Sequence, residues 1–463
     1  MRLQAILAVA PLPLAALGAH LRRQGSASVS SASLSTASAS ASASASPPPE
    51  VPFTLISSNP TAFPLSEIVA TPSTHMTVPL EWTFTAGQEP TVVTNDAPPL
   101  PTVSSVVVGN YPALDVIPPT NSPEVQAWLQ QVANSGIPIP NIAPSVAGGC
   151  PTNPDRVTNS SICWWTCGQC VRPTDITTCP DKLTWGVSFD DGPSPDTPRL
   201  LDFLSANHLH STFFIVGSRA ISRQDILQAE YMLGHQLSVH TWSHPALTTL
   251  TNEQIVAELG WTAKIIKDVT GVTPNTFRPP YGDIDDRVRA IGLAMGFTPV
   301  IWTGFNNENF DTNDWHIGAG TVSASGVIAA FENILTDATQ LSTGFIVLAH
   351  DLYQQSVDLA TGYILPDALA RTNPAFKLMS IIECLGQPFI IECLGQPLSN
   401  AYKETNNNST NPPPSGSAAV SQSHFTGGAT STSTAGSNGA SRVMTGVLGL
   451  AAAMVVPALG LML

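Results

Sequence analysis

The chain has 463 residues, only 11% of them charged, and 33 acidic against 18 basic residues give it a net charge of −15. This negative charge argues against a phosphate-backbone partner, so we expect no nucleic-acid binding. Serine, alanine, threonine and proline concentrate at both ends, so only the middle of the chain is expected to build a hydrophobic core.

Both ends of the chain carry targeting patterns. Residues 1–19 hold a basic residue, a short apolar run and small residues, which is the pattern of a secretory signal peptide. Residues 441–463 are almost uncharged and follow small residues, which predicts a glycosylphosphatidylinositol (GPI) attachment signal with Asn438 as the preferred attachment site. A C-terminal membrane anchor is the alternative for this segment.

Residues 20–145 are interpreted as a spacer. Their first part is Ser/Ala-rich and the rest is Pro-rich with little hydrophobic periodicity, as in stalks and linkers. One short helix is predicted within them, with Ser122 as N-cap and Pro123 at the first helical position. Residues 401–440, rich in Ser, Thr and Asn, are interpreted as a linker.

Five of the seven cysteines crowd into the segment 146–182. Their spacing could imitate a zinc knuckle, but a secreted chain favours disulfides. Cys384 and Cys393 lie in two copies of the sequence IIECLGQP that are offset by nine residues. An odd offset would turn equivalent side chains to opposite faces of a strand, so we expect a recent duplication or a sequence error, with one cysteine in surplus.

Residues 183–400 alternate strand and helix patterns. Buried strands are predicted at 185–189, 212–216, 236–240, 299–302 and 345–348, and a capping box at Thr251 begins a long helix. Repeated strand-helix units predict an α/β fold with a parallel sheet, closed into a distorted (β/α) barrel whose site lies at the C-terminal strand ends.

Two adjacent carboxylates, Asp190 and Asp191, end the first predicted strand at a Gly-Pro turn. Adjacent acids repel each other unless they face a shared cation, so we expect one to bind a metal ion and the other to move protons. A solvated acidic turn is the alternative for this hexapeptide taken alone.

Two histidines, His240 and His244, follow another predicted strand. Imidazoles four residues apart can face one cation, and such a pair at a strand end is hard to explain by structure alone. With one carboxylate they would leave open positions on Zn²⁺ or a similar divalent ion, as a hydrolytic site requires.

Three further stretches carry groups suited to catalysis. The sequence Arg-Pro-Pro-Tyr at 278–281 combines an arginine that can hold a carboxylate with a backbone fixed by proline. Residues 314–315 join an acid to a tryptophan, and residues 348–350 place a histidine after an apolar strand. His350 could protonate a departing amine, and the alternative for it is a buried structural histidine. The alternative for Asp314 is a helix cap or a salt-bridge partner.

These stretches together resemble the NodB-homology polysaccharide deacetylases, which form carbohydrate esterase family 4. The motifs SFDDGP, HTWSH, RPPYGD, DTNDW and LAH occur in the family's order within residues 183–400. Ser188 stands where the family usually has threonine. The secreted and anchored layout is similar to that of fungal chitin deacetylases in particular.

The resemblance implies a role for each matching residue. It implies that Asp190 is the general base, that His350 is the general acid, and that the metal ligands are Asp191, His240 and His244. The resemblance also implies the NodB-type barrel fold for residues 183–400.

The resemblance implies supporting roles as well. Arg278 would orient Asp190, Asp314 would tune His350, and the backbone N–H of Tyr281 would donate to the oxyanion. Three apolar side chains are candidates to line the acetyl methyl pocket, with a core role equally open at each: Trp302, Trp315 and Leu348.

The implied activity is metal-dependent hydrolysis of the N-acetyl groups of chitin, giving chitosan and acetate in cell-wall remodelling. Zn²⁺ is the default ion and Co²⁺ an alternative. A catalytically silent glycan-binding wall protein and a deacetylase of another polymer, such as acetylxylan, are the alternatives. Glycosylation sequons at Asn159, Asn407 and Asn408 agree with an extracellular, GPI-anchored protein, and a monomer is expected.

Overall fold

The structure is a computed structural model that describes residues 48–71, 77–91, 97–102 and 106–386. The predicted signal peptide, the linker and the GPI signal lie outside these residues, as do Asn407, Asn408 and Asn438. The second copy of the eight-residue repeat, with Cys393, also lies outside them.

The α-helices of the described ranges alternate with strands from residue 184 onward, and a π-helical stretch joins α10 to α11. None of these helices combines the length and the apolar character that a membrane crossing needs. Their bounds are α1 Pro123–Asn134, α2 Pro154–Val157, α3 Trp165–Gly168, α4 Thr197–Ala206, α5 Gly217–Ser222, α6 Gln224–Met232, α7 Asn252–Thr270, α8 Asp286–Ala294, α9 Ala324–Ala338, α10 Gln354–Leu359, α11 Leu365–Ala370 and α12 Ile381–Cys384.

The strands form two parallel sheets and a hairpin within the described ranges. The first sheet has the order β2-β3-β4-β5-β6, the second has the order β10-β1-β9, and β7 pairs with β8 antiparallel. The predicted α/β class with parallel sheets is therefore confirmed. The strands are β1 Thr184–Gly186, β2 Ser188–Asp190, β3 Thr212–Ile215, β4 Gln236–Val239, β5 Thr276–Phe277, β6 Thr298–Pro299, β7 Gly304–Phe305, β8 Glu308–Asn309, β9 Phe345–Ile346 and β10 Lys377–Met379.

The register of the parallel strands brings the polar residues after them to one edge. Asp190 at the end of β2 lies opposite Phe214, and Val239 at the end of β4 lies opposite Phe277 at the end of β5. Strands β2, β3 and β4 are buried along their whole length, as expected for a sheet covered on both faces. The residues that follow Val239 and Phe277 are His240 and Arg278, so they emerge beside Asp190.

The described part of residues 20–145 packs against this α/β unit, which corrects the spacer interpretation for that part. The Val51 N–H donates to Ser325 Oγ at 3.0 Å. The Ile56 N–H donates to Asp367 Oδ1 at 2.6 Å. The segment lacks periodicity because backbone groups and single side chains make its contacts, rather than one face of a regular element.

Helix α1 confirms the helix predicted in that segment, and Ser122 is its N-cap, because Ser122 Oγ accepts from the Val125 N–H at 3.3 Å. The helix also buries two side chains, Val125 and Trp128. Trp128 is only 1% exposed and meets Trp261 of α7 edge to face, with 5.5 Å between ring centroids. A Cβ atom on Gly260 would lie 2.2 Å from the Trp128 ring, so only glycine leaves room for this tryptophan.

Within the described residues six cysteines form three disulfides, which excludes the zinc-knuckle alternative for the segment 146–182. The third disulfide joins positions 205 residues apart and ties the start of the α/β unit to α12. It uses the cysteine of the first copy of the repeat. The pairs are Cys150–Cys167, Cys163–Cys170 and Cys179–Cys384.

We predict that Trp128→Ala lowers the free energy of unfolding by about 3–5 kcal/mol, because it leaves a cavity between α1 and α7. Gln130→Ala, at an exposed position of the same helix, is the control and should stay within about 0.5 kcal/mol of the parent. Chemical denaturation of both variants measures the difference. Equal stability of the two variants would show that α1 does not support the α/β unit.

Candidate active site

The carboxylate of Asp190, at the end of β2, is held by a buried arginine that directly follows β5, three strands away in the sheet. Arg278 Nη1 donates to Asp190 Oδ1 at 2.6 Å and to Ser188 Oγ at 3.1 Å. Arg278 is fully buried, and its guanidinium lies 3.9 Å from the centre of the Phe214 ring. The negative charge of Asp190 and the Phe214 ring together hold the guanidinium in place. Because the arginine contacts Oδ1, the other carboxylate oxygen of Asp190, Oδ2, faces His240.

Asp191, His240 and His244 form a cluster in which one potential ligand atom from each residue lies within 4.8 Å of the others. His240 Nε2 and His244 Nε2 lie 3.4 Å and 3.0 Å from Asp191 Oδ1. Oδ1 of Asp191 is buried without a well-formed hydrogen bond among the described residues. Three donor atoms that converge on one point are a fitting site for a divalent cation.

Hydrogen bonds on the far side of each imidazole orient the two histidines. His240 Nδ1 lies 2.8 Å from the Arg278 carbonyl oxygen, which can only accept, so Nδ1 carries the proton and Nε2 keeps its lone pair. His244 Nδ1 lies 3.2 Å from Tyr281 Oη, a hydroxyl that can accept in the same way. Partners of this kind are what metal-binding histidines use to fix the ring and the tautomer.

The electrostatics of the cluster favour the ligand forms of its members. Burial opposes ionisation of Asp191, but His244 and His240 outweigh it and hold the pKa of the Asp191 carboxyl well below its usual range. Burial lowers the pKa of His244 against the opposing charge of Asp191, which favours the neutral imidazole. Arg219 places a further positive charge beside the cluster. Its Nη1 donates to the backbone carbonyl of Asp191 at 2.7 Å and lies 3.6 Å from Asp191 Oδ1.

Several residues of the site adopt backbone conformations that non-glycine residues rarely use. Asp191 has φ of 80°, His244 has φ of 61°, and Tyr281 has φ of 60°. Each costs about 1–3 kcal/mol, which the surrounding contacts must supply. Next to Tyr281, the Trp165 ring packs directly on Gly282. A Cβ atom at position 282 would lie 2.3 Å from this ring, so the contact requires glycine there.

His350 lies next to Asp190 on the other side of β2, because the two residues form a parallel bridge. Its Nδ1 lies 2.7 Å from Asp314 Oδ1, and its backbone N–H donates to Asp314 Oδ2 at 2.9 Å. Burial lowers the pKa of His350, but Asp314, Asp191 and Asp190 outweigh burial and raise it to about 10. The imidazole is therefore protonated at neutral pH.

The structure separates the three candidates for the acetyl pocket. Trp302 and Leu348 are buried, whereas Trp315 is exposed and stacks on His316 with 3.5 Å between ring centroids. The Tyr281 side chain is 58% exposed and lies over His244, with 4.7 Å between ring centroids. Trp315 and Tyr281 therefore offer apolar surface to solvent, whereas Trp302 and Leu348 are largely covered; the role in the acetyl pocket stays a prediction for Trp302, Trp315 and Leu348.

Two buried carboxyl groups of the site were missed by the sequence analysis, and the first is Glu258 of α7. Its Oε2 accepts from the N–H groups of Trp242 and Ser243 at 2.7 and 2.9 Å, and its Oε1 accepts from Ser243 Oγ at 2.6 Å. These contacts hold the chain between His240 and His244 from behind. The available signal was an acid within the apolar run Ile255–Leu259.

The second is Asp351, which follows His350. Thr197 Oγ1 donates to its Oδ2 at 2.5 Å, and a Cβ atom on Gly192 would lie 2.3 Å from the same oxygen. Burial raises the pKa of Asp351 to about 7, with Asp191 and Asp190 adding to the increase and Thr197 opposing it. Asp351 thus supports the turn after Asp191, and only glycine fits at position 192.

Comparison with known proteins gives consistent matches. Residues 177–300 match the family model described as polysaccharide deacetylase. The chain is 55% identical over 362 residues to Chitin deacetylase 1 of Cryptococcus neoformans var. grubii, covering 76% of this chain and 73% of that protein. It is 34% identical over 284 residues to the chitin deacetylase of Amylomyces rouxii, covering 55% of this chain and 66% of that protein.

A solved structure also matches. The chitin deacetylase from the fungal pathogen Colletotrichum lindemuthianum is 26% identical, with a TM-score of 0.40. The match covers 47% of this chain and 94% of that one.

We predict that Glu258→Ala weakens divalent metal binding by about 10–100-fold, because the loop between the two histidines loses its support. Glu258→Gln keeps one acceptor oxygen and should lose less. Glu253→Ala, at an exposed position of the same helix, is the control. Titration with Co²⁺, followed by its visible absorption, measures the affinity; unchanged affinity in a folded Glu258→Ala variant would contradict the positioning role.

Proposed function

The chain belongs to the polysaccharide deacetylase family, and we propose that it hydrolyses the N-acetyl groups of chitin, releasing acetate and leaving free amines. The observation that carries the proposal is the convergence of Asp190, the Asp191–His240–His244 cluster and His350 at one edge of the sheets. The names of the relatives from Cryptococcus neoformans and Amylomyces rouxii support chitin as the substrate.

The proposed cofactor is Zn²⁺, held by Asp191, His240 and His244. Two imidazoles and a carboxylate are a donor set that suits Zn²⁺ in catalytic sites, and Co²⁺ accepts the same donors. Bound there, the ion would lower the pKa of water and polarise the acetamide carbonyl.

Asp190 is proposed to act as the general base. Its Oδ2 lies 3.8 Å from His240 Nε2, so this oxygen faces the cluster while Arg278 occupies Oδ1. It would remove the proton from the water that attacks the carbonyl carbon. The arginine keeps the carboxylate in one orientation through that transfer.

The oxyanion is proposed to receive a hydrogen bond from the Tyr281 backbone N–H. The left-handed conformation of Tyr281, at the surface beside His244, supports this assignment because such strain is often found at functional sites. Loss of one such donor costs about 10²–10³ in rate at comparable sites.

His350 is proposed to act as the general acid. Asp314 occupies Nδ1, so Nε2 is the nitrogen left to donate its proton to the departing amide nitrogen. The carbon–nitrogen bond then breaks, and acetate and the free amine leave. The charge of Asp314 keeps the imidazolium available for this step.

We further propose that the two parallel sheets close into a distorted (β/α) barrel. The Thr303 N–H, beyond the end of β6, donates to the Ile346 carbonyl of β9 at 3.0 Å. Strand β9 in turn pairs with β1, which continues into β2 after Val187. These contacts support a closed path around the strands, made by hydrogen bonds from the β6 end to β9 and from β9 to β1, and by the chain itself from β1 to β2.

An extracellular, GPI-anchored location is proposed from residues 1–19 and 441–463. Two features of the described residues support an extracellular location. The three disulfides are stable in an oxidising compartment. Asn159 is exposed, as a glycosylated asparagine must be.

The test is acetate release from chitin oligomers by the secreted protein, with and without a chelator. We predict that Asp190→Asn abolishes turnover while the protein still binds Co²⁺, because Asp190 moves a proton and Asp191 binds the ion. We predict that His240→Ala loses both. Near-normal turnover by Asp190→Asn would overturn the assignment of the base.

The same assay separates the proposal from its alternatives. Release that stops with chelator and returns with Zn²⁺ supports a metal-dependent deacetylase. Release from acetylxylan and not from chitin would overturn the substrate. Binding of chitin without any acetate release, with metal bound, would show a glycan-binding protein instead.

We predict that Asp314→Asn moves the alkaline limb of the kcat/KM profile to lower pH by about 1–3 units. The reason is that the pKa of His350, raised to about 10 by Asp314 and its neighbours, falls when the carboxylate is lost, so the acid form disappears at lower pH. Asp225→Asn, an exposed acid on α6, is the control. An unshifted alkaline limb would show that His350 is not the group that titrates there.

A further inference from the structure

The loop 240–244, which carries both histidines of the cluster, has a strained backbone. Thr241 has φ of 67° and His244 has φ of 61°, in the left-handed region that non-glycine residues rarely use. Such strain persists only where surrounding contacts hold it. One contact lies within the loop, because Thr241 Oγ1 accepts from the His244 N–H at 3.0 Å. Further support has to come from the elements packed against the loop.

The side chain of Trp242, midway between the two histidines, attaches the loop to the interior. It is fully buried, and a Cβ atom on Gly217 of α5 would lie 2.5 Å from its ring. The Trp242 carbonyl accepts from the Ser218 N–H at 3.1 Å. Its ring Nε1 donates to the Ala113 carbonyl at 2.9 Å. The position of the indole therefore depends on α5 and on the segment that contains residue 113.

Tyr111, in that same segment, packs on the indole of Trp242. The two rings are nearly parallel, with 6° between their planes and 6.1 Å between their centroids. The tyrosine is itself held by α7, because its Oη donates to Asp268 Oδ2 at 2.5 Å and Lys264 Nζ lies 5.4 Å from its ring centre. Burial and the Asp268 carboxylate raise the pKa of the Tyr111 phenol, so it stays protonated and can donate at neutral pH.

Two separate supports thus meet at the histidine loop. Glu258 of α7 accepts from the backbone N–H of Trp242, whereas Tyr111 contacts the side chain of Trp242. Tyr111 precedes residues 177–300, which match the family model, so this second support is an addition to the matched region. Because the two histidines flank Trp242 in a short loop, a displaced indole would shift both imidazoles.

We propose that Tyr111 is a positioning residue, which acts through Trp242 to keep the two histidines of the cluster in the geometry that binds a divalent cation. The proposal rests on the proposed function, because it takes Asp191, His240 and His244 as the metal ligands. It makes the segment before the α/β unit a determinant of metal affinity as well as of stability.

The test compares two substitutions at one position. Tyr111→Leu removes the ring, whereas Tyr111→Phe keeps the ring and loses only the hydrogen bond to Asp268. The matched control is Tyr363→Leu, in the π-helical stretch between α10 and α11. Tyr363 also ties an early part of the chain to the α/β unit, because its Oη donates to the Phe63 carbonyl at 2.5 Å. Thermal unfolding of each variant verifies that it is folded.

Tyr111→Leu is expected to weaken Co²⁺ binding by about 10–100-fold, as the loss of a group that orients metal ligands does. The visible absorption of the bound Co²⁺ should change as well, because the imidazoles are displaced. Tyr111→Phe should lose less, and Tyr363→Leu should bind Co²⁺ as the parent does. Half-maximal acetate release by Tyr111→Leu should need more Zn²⁺ by the same factor, and excess Zn²⁺ should restore the rate.

A double-mutant cycle tests the route through Trp242. Trp242→Phe keeps a ring but loses the hydrogen bond to the Ala113 carbonyl, so it should also weaken Co²⁺ binding. Because Tyr111→Leu and Trp242→Phe release the same side chain, the loss in the double variant should be smaller than the two losses combined. Fully additive losses in folded variants would overturn the route through Trp242.

The outcomes separate this proposal from the proposed function. A folded Tyr111→Leu variant with the Co²⁺ affinity and absorption of the parent would overturn the positioning role and leave the function intact. An equal loss of affinity in Tyr363→Leu would also overturn it, because any loosening of the early segment would then have the same effect. Failure of the parent to bind Co²⁺ or Zn²⁺ would overturn both this proposal and the proposed metal site.

Discussion

The arrangement of this protein depends on two adjacent carboxylates buried at the end of one strand. Asp190 and Asp191 are 1% and 7% exposed, so their charges cannot be solvated by bulk water and need compensation from the protein or a bound cation. Arg278 compensates the first through a 2.6 Å ion pair. The second faces His240 and His244, whose Nε2 atoms point at the same carboxylate oxygen. Two neighbouring acids are therefore held by different partners, which supports the different tasks proposed for them.

The same environment distinguishes the proposed general acid, His350, from the proposed general base, Asp190. His350 lies in the strand register directly beside Asp190, so the two side chains are neighbours at the same strand ends. The contact with Asp314 stabilises the imidazolium of His350, whereas Asp190 forms an ion pair with Arg278. An imidazolium and a carboxylate beside one site are the pair that the proposed transfer of protons in two directions would require.

The histidine loop is supported by parts of the chain that lie outside the five motifs. Glu258 binds it from α7, and the Trp242 ring between the two histidines stacks on Tyr111 with 6.1 Å between ring centroids. Trp242 Nε1 also donates to the Ala113 carbonyl at 2.9 Å. The segment before the α/β unit is therefore part of the structure behind the site, and a protein shortened to begin near residue 145 would lose these contacts.

The sequence by itself determined the α/β class, the capping box of α7, the helix after Ser122 and the residues that gather at the site, because these follow from local patterns and from five ordered motifs. It did not determine how the cysteines pair. It also did not determine that the Pro-rich segment packs on the core or that Glu258 supports the histidine loop. Those features join residues far apart in the chain, as in the 205-residue separation of Cys179 and Cys384, and only the tertiary structure decides them.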